Sequence, residues 1–224
     1  MTFLHGLLRS THIVMGSVGL LSGATAMVLR KGSPMHGRVG QVFFVSMTLM
    51  ASCGIMLSLA PELDRLNITG GSLALYLTIT AWLTVERRAR SIGRAERVLA
   101  AWGGLGMLVV FAFAVRAAGI PAETGATPFF IAFGSIMALG VAGDWRVLQA
   151  GGVQGRARTV RHLWRMCTAM LLATLSLFLG QPQVFPSVIR DRGLLPVAPV
   201  LVLLATLYFL LRELVKGRRA QLPG

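Results

Sequence analysis

The sequence predicts an all-α, polytopic integral membrane protein, with one transmembrane domain over residues 1–224 that contains about seven membrane-spanning helices. Three observations lead to this prediction. Of the 224 residues, 54% are hydrophobic and 13% are charged, which is about half the charged fraction of a soluble domain. The apolar residues occur in runs of about the length that crosses a bilayer. Cations and helix-breaking residues separate these runs.

Seven apolar runs are predicted to span the membrane. They are Ile13–Leu29, Val39–Ala60, Ser72–Val85, Val98–Val115, Phe129–Ala142, about His162–Gly180, and Val197–Leu211. The first run is uncharged and ends at a basic turn with glycine and proline, residues 30–34. The third run is short for a span unless it begins near Gly70 or has little tilt. The main connecting loops are predicted at Glu62–Gly71, Glu86–Arg97, Gly119–Thr127, Gln149–Arg161 and Gln181–Pro196.

The lysines and arginines are concentrated at alternate ends of these runs. Of the 22, 17 flank the connections after the first, third and fifth runs or follow the seventh. They are Arg30, Lys31, Arg38, Arg87, Arg88, Arg90, Arg94, Arg97, Arg146, Arg156, Arg158, Arg161, Arg165, Arg212, Lys216, Arg218 and Arg219. Cationic loops stay on the cytoplasmic side of a membrane. The pattern therefore predicts an N-terminus outside, a C-terminus inside, and a location in the bacterial cytoplasmic (inner) membrane.

The net charge of +14 would favour a nucleic-acid partner in a soluble protein. Here no basic segment is interleaved with stacking aromatic residues, as single-strand binding would require. We therefore expect the lipid bilayer as the main partner and no nucleic acid. Cys53 and Cys167 both lie in apolar runs, which predicts buried free thiols rather than a structural disulfide.

The four histidines fall into two groups by their depth in the membrane. His5 and His12 belong to the predicted outer side, whereas His36 and His162 lie where their spans enter from the cytoplasmic side. At about 1.5 Å of rise per residue, the first span separates the two groups by about 27 Å. One small site therefore cannot use both groups.

His12 and His36 each begin an H-x-x-x-G pattern, with Gly16 and Gly40. A glycine one turn from an imidazole leaves room for a flat macrocycle, as expected for a haem b held between membrane helices by axial imidazoles. The alternative interpretation is close helix packing, for which Gly19 and Gly23 supply a G-x-x-x-G face. For His162, the alternative is an interfacial residue beside Trp164.

Asp144 is an acid in a basic connection, directly after an apolar run. We expect it either to pair with Arg146, Arg161 or Arg165, or to orient His36 or His162 through a hydrogen bond to the imidazole. His36, Asp144, His162 and Arg165 form the group of functional side chains that lie near one membrane depth.

The sequence leaves three functions open, and it does not decide whether the protein is an enzyme. One is a membrane redox protein in which His36 and His162 bind haem iron and Asp144 orients one of these histidines. His12 is a weaker candidate ligand. Another is a small-solute transporter or channel, although no acid is expected near the bilayer midplane. The third is an assembly subunit, with a second copy or a membrane complex as partner. Motifs of hydrolases, zinc proteases and phosphate-binding loops do not occur in the sequence.

Several segments carry a resemblance to known sequences: HIVMGSVGLLSGATAMVLRKGSPMHGRVG, RHLWRMC, LFLGQ and FPSVIR. Together they resemble a family of bacterial predicted membrane proteins that carries a domain-of-unknown-function label, which implies a membrane bundle and no particular activity. The two H-x-x-x-G helices are more distantly similar to haem bundles of the cytochrome b561 type. Those proteins hold haem between histidine pairs on both sides of the membrane, whereas the outer side here offers only His12 and His5.

Overall fold

The computed structural model describes residues 3–59, 63–88 and 91–219, and side chains as far as Lys216. All regular elements of this part are helical: α1 Phe3–Val28, α2 Pro34–Leu57, α3 Arg65–Glu86, α4 Arg94–Ala118, α5 Thr127–Gln149, α6 Gly155–Phe178, α7 Ser187–Asp191 and α8 Val197–Arg219. Short 3-10 turns cover Pro121–Ala126 and Pro182–Val184. The predicted all-α class is confirmed. Glu62 and Arg90, which were assigned to loops, lie outside the described residues.

Six of the long helices have the length and apolar character needed to cross a membrane, namely α1 to α5 and α8. The polytopic membrane architecture is therefore confirmed. The remaining long helix, α6, has 24 residues, which corresponds to about 36 Å, but four arginines in its first half lower its hydropathy. Because α6 packs against α3 and α8, it belongs to the same bundle as the six apolar helices.

All the long helices except α8 begin earlier than the apolar runs predict, and α1 and α3 show this clearly. Helix α1 starts at Phe3, so residues 3–12, before the first predicted run, are also helical. Helix α3 starts at Arg65, where the sequence predicted a polar loop, because Asp64 caps it. The Asp64 carboxylate accepts a hydrogen bond from the Asn67 backbone N–H at 3.0 Å, which satisfies a donor that the first turn leaves free. The third span is therefore long enough to cross the bilayer.

The glycine-rich loop predicted at Gln149–Arg161 is also shorter in the structure. Only residues 150–154 separate α5 from α6. The turn uses Gly151 and Gly152 at φ +68° and +126°, a region that other residues rarely adopt. Consequently Arg156, Arg158 and Arg161 lie on the first turns of α6 and not in a flexible loop.

Helix α3 occupies the middle of the bundle. It packs against α2 and α6, while α1 lies along α2, α4 along α5, and α6 against α8. Half of the α3 span is buried, against at most 28% for the other five apolar spans. Tyr76 and Leu77 of α3 are fully buried in the main apolar cluster. Cys53 and Cys167 are buried free thiols, as predicted.

Tyr76 is wedged between two glycines on neighbouring helices. A Cβ atom added at Gly103 of α4 would lie 2.6 Å from the Tyr76 ring, and one at Gly140 of α5 would also lie 2.6 Å from it. A Cβ atom added at the adjacent Gly104 would have no neighbouring atom within 4 Å. Side-chain size is therefore restricted on only one face of α4.

We predict that Gly103→Ala destabilises the protein and that Gly104→Ala does not. Overpacking a tight contact costs about 1–3 kcal/mol, whereas replacing an unrestricted helical glycine by alanine stabilises by roughly 0.5–1 kcal/mol. Thermal unfolding of both variants in the same detergent measures the difference. Equal melting temperatures would contradict the packing of Tyr76 described above.

Candidate functional site

A cavity of about 500 Å³ opens between α1, α2, α3, α6 and α8 at the end of the bundle that carries His36 and His162. Its volume is within the range of small-molecule sites, roughly 300–1,000 Å³. Both histidines line it. The structure thus brings together the two imidazoles that the sequence assigned to the cytoplasmic end, while cofactor binding itself stays a prediction.

His36 is positioned by the turn that joins α1 to α2. Gly32 adopts φ +79°, and the Ser33 hydroxyl accepts a hydrogen bond from the His36 backbone N–H at 3.2 Å, which caps α2 at its start. The imidazole Nδ1 lies 3.1 Å from the Ala26 carbonyl oxygen of α1. Because a carbonyl oxygen only accepts hydrogen bonds, Nδ1 carries the proton and Nε2 of the neutral ring keeps its lone pair.

His162 has the same arrangement on a different helix. Its Nδ1 lies 3.1 Å from the carbonyl oxygen of Ala81 in α3, so in the neutral imidazole Nε2 is again the nitrogen with a lone pair. A backbone carbonyl that binds one ring nitrogen fixes the tautomer and orientation of the ring, as is found for metal-ligating histidines. Both cavity histidines are therefore prepared to act as ligands through Nε2.

The cavity wall is mainly apolar and includes open space beside α2. Trp82 of α3 lines the cavity and stacks on Phe44 with ring centroids 4.6 Å apart. Gly37 and Gly40 also line it and have no atom within 4 Å of a Cβ position. Gly40, one turn after His36, therefore leaves free volume instead of making a packing contact.

The glycines of α1 that follow His12 pack against neighbouring helices. A Cβ atom at Gly16 would meet Met50 at 3.3 Å, and one at Gly23 would meet Met170 at 2.6 Å. His12 donates from Nδ1 to the Met50 carbonyl oxygen at 2.8 Å and lies close against Gly54. The packing interpretation thus describes the H-x-x-x-G pattern of His12 and Gly16, and His12 is not among the residues that line the large cavity.

Two cations, Lys31 and Arg158, lie at the polar rim of the large cavity, and each contacts the C-terminal end of a helix. The Lys31 ammonium donates to the carbonyl oxygens of Ala26 at 3.0 Å and Met27 at 2.6 Å, at the C-terminus of α1. Partial burial lowers the pKa of Lys31 below its ordinary value. Arg158 donates to the carbonyl oxygens of Thr84 and Val85 in the last turn of α3 and of Arg87, which follows it, with distances of 2.6–2.7 Å. Cations at these positions stabilise the negative ends of the helix dipoles.

Asp144 lies outside the large cavity, in a buried ion network between α3, α5 and α6. One oxygen, Oδ1, is 2.6 Å from Arg161 and 2.7 Å from Arg165, and the other accepts a hydrogen bond from the Tyr76 hydroxyl. Of the two roles predicted for Asp144, ion pairing is confirmed. Hydrogen bonding to His36 or His162 is wrong, because both imidazoles use backbone carbonyls instead.

The sequence did not predict which residues of α3 bind Arg161 and Arg165. Arg165 also donates to the Thr80 hydroxyl and, at 2.7 Å, to the Gly140 carbonyl oxygen, and the Arg161 Nε donates to the Thr84 hydroxyl at 2.9 Å. The available signal was the spacing of four between Tyr76, Thr80 and Thr84, which places three polar groups on one face of an apolar helix.

Comparisons of the chain with known protein families, with curated proteins and with solved structures find no match. The resemblances described in the sequence analysis stay predictions. Within residues 3–59, 63–88 and 91–216, no group of three or more His, Cys, Asp or Glu side chains is arranged to hold a metal ion.

We predict that Asp144→Ala strongly destabilises the bundle. The change leaves the Arg165 guanidinium, which is fully buried, without its counter-charge, at a cost of about 3–5 kcal/mol. For a protein of this size, Tm should fall by roughly 6 °C or more.

Glu123→Ala is the matched control, because Glu123 pairs with Arg116 at 3.0 Å at the opposite, exposed end of the bundle. Loss of such a pair costs about 1 kcal/mol or less. If the two variants lose the same stability in detergent, the Asp144 network does not hold the helices together.

Proposed function

We propose that the protein is a membrane redox protein that binds one haem b between His36 and His162, near the cytoplasmic face. The observation that supports this most strongly is the pair of imidazoles on one cavity, each with Nδ1 hydrogen-bonded to a backbone carbonyl at 3.1 Å. A porphyrin supplies four nitrogens to its iron, so the protein needs to supply only two axial ligands.

The residues around the imidazoles also fit such a group. Gly37 and Gly40 leave space beside the helix that carries His36, and the apolar wall with Trp82 suits the faces of a macrocycle. Lys31 and Arg158 at the rim would attract the carboxylates of the group. When bound, haem b supplies one-electron chemistry, and the protein contributes ligands, exclusion of water and charge at the rim.

The proposed orientation places the haem site on the cytoplasmic side of a bacterial inner membrane. The N-terminus would then lie outside and the C-terminus inside, as the distribution of the 17 cations favours. The acid-containing cluster of Arg65, Arg116 and Glu123 belongs to the outer end in this arrangement.

The buried ion network favours a second candidate, a small-solute transporter or channel. Ionised side chains inside a membrane bundle commonly mark ion or substrate pathways. Asp144 is 4% exposed and contacts Tyr76, which lies near the middle of α3. The structure therefore supplies a buried acid for the transporter alternative, whereas the sequence placed Asp144 in a connection.

The absorption spectrum of the protein purified from haem-replete cells tests the haem proposal. We expect a Soret band and sharp visible bands on reduction, as for two axial imidazoles. His36→Ala and His162→Ala should each abolish the low-spin spectrum, because each removes one ligand. A colourless wild-type protein that stays colourless after haemin is added would contradict the proposal and favour transport or assembly.

His12→Ala is the matched control for these variants. It removes an imidazole that makes the same type of Nδ1 hydrogen bond, to Met50, but that does not line the cavity. The spectrum should be unchanged. If His12→Ala loses the spectrum and His162→Ala keeps it, the haem lies at the other end of the bundle.

The proposed orientation predicts opposite locations for two connections of the chain. A reporter inserted at Gly152, between α5 and α6, should be cytoplasmic, and one at Gly193, between α7 and α8, should be periplasmic, because basic connections stay inside. Paired reporters for the two compartments measure this. Periplasmic activity at Gly152 would reverse the orientation and move the histidine cavity to the outer face.

A further inference from the structure

A second, smaller cavity lies at the same end of the bundle, between α3, α4, α5 and α6. Its volume is about 30 Å³, enough for about two water molecules. Asp144, Arg161 and Thr84 line it on the bundle side, and Arg87, Arg88 and Glu96 line it on the side of the α3–α4 connection. The large cavity and its histidines are on the other face of the α3–α6 contact.

The charges around the small cavity do not balance. Arg161 and Arg165 both pair with a single oxygen of Asp144, and the Tyr76 hydroxyl that binds the other oxygen is neutral while it donates. Arg87 is neutralised by Glu96 at 2.6 Å. One positive charge in the buried network therefore has no counter-charge among the described residues, and Arg88 adds a further cation to the cavity wall.

The excess charge lies where water is scarce. Arg165 is fully buried and its Nε has no hydrogen-bond partner in the described part of the chain. The Arg161 side chain is 11% exposed, and it uses Nε for Thr84 and Nη2 for Asp144. An uncompensated charge in the interior costs several kcal/mol. Arg165 itself does not line the small cavity, whereas Arg161, which shares the Asp144 carboxylate with it, does. An anion beside Arg161 would therefore offset the excess charge of the network.

We propose that the small cavity binds a small monovalent anion of halide size, held by Arg161 with Arg88 at the entrance. A volume of about two water molecules admits a chloride or bromide ion. Sulfate, phosphate and lipid headgroups are larger, and we expect them to bind this cavity less well than a halide. The site is independent of the haem proposal, because none of its residues lines the large cavity.

The test is a chloride titration of thermal stability in detergent, with gluconate replacing chloride at constant ionic strength. A ligand that binds only the folded state raises stability in a saturable manner, so Tm should rise to a plateau with chloride or bromide and should not do so with sulfate. General salt effects act on all variants alike, and they are removed by comparison with a variant that lacks the site.

Arg161→Gln should raise the half-saturating chloride concentration by about tenfold or more, a change that corresponds to 1.4 kcal/mol of binding energy. Arg156→Gln removes the same charge from the same helix but does not line the small cavity, and it should titrate as the wild type does. If Arg161→Gln does not fold, Arg88→Gln on the exposed rim should raise the half-saturating concentration about two- to fivefold.

Three results would overturn the site: a wild-type Tm that does not saturate with chloride, an Arg161→Gln or Arg88→Gln variant that titrates like the wild type, or a saturable rise with sulfate equal to the rise with chloride. Loss of the haem spectrum in the histidine variants has no bearing on this result, because the titration reports on the small cavity alone.

Discussion

The arrangement of α6 depends on the pairing of Arg165 with Asp144. A buried guanidinium without a counter-charge would destabilise the bundle by several kcal/mol, so α6 can occupy its position only if α5 presents the carboxylate at this point. The pair is completed by α3, whose Tyr76 binds the second carboxylate oxygen and whose Thr80 accepts from Arg165. Three helices are thereby fixed relative to one another by one network of buried polar contacts beside the apolar core.

The same face of α6 carries His162. Residues at positions 158, 161, 162 and 165 recur at spacings of three and four, which places them on one side of a helix. All of them contact the C-terminal half of α3. A shift of α6 by one residue would rotate this face by about 100° and would separate both the arginines and His162 from their partners. The ion network therefore determines the register that directs His162 to the large cavity.

The membrane architecture and the presence of His36 and His162 at one end of the bundle could be predicted from the sequence, because both follow from one-dimensional patterns. Apolar runs and alternating cations mark the spans, and a histidine beside a cationic loop must lie near that end. The start of α3 was missed because Asp64 and the polar residues after it resemble a loop until the capping bond is known. The roles of Thr80 and Thr84 were missed for a different reason: threonine in a membrane helix usually bonds to its own backbone, and only the neighbouring helix shows that its oxygen also accepts from an arginine.

Hydropathy underestimates α6 because it averages over the whole circumference of a helix, whereas only the outward face contacts lipid. On the inward face, polar groups are tolerated when the bundle supplies their partners. The resulting line of polar contacts separates two cavities of different chemistry. His162 faces the large, mainly apolar one, and Arg161, the preceding residue, faces the small cationic one. Adjacent residues on a helix point about 100° apart, so α6 contributes residues to both cavities. A substitution in the wall of one cavity leaves the residues that line the other cavity unchanged.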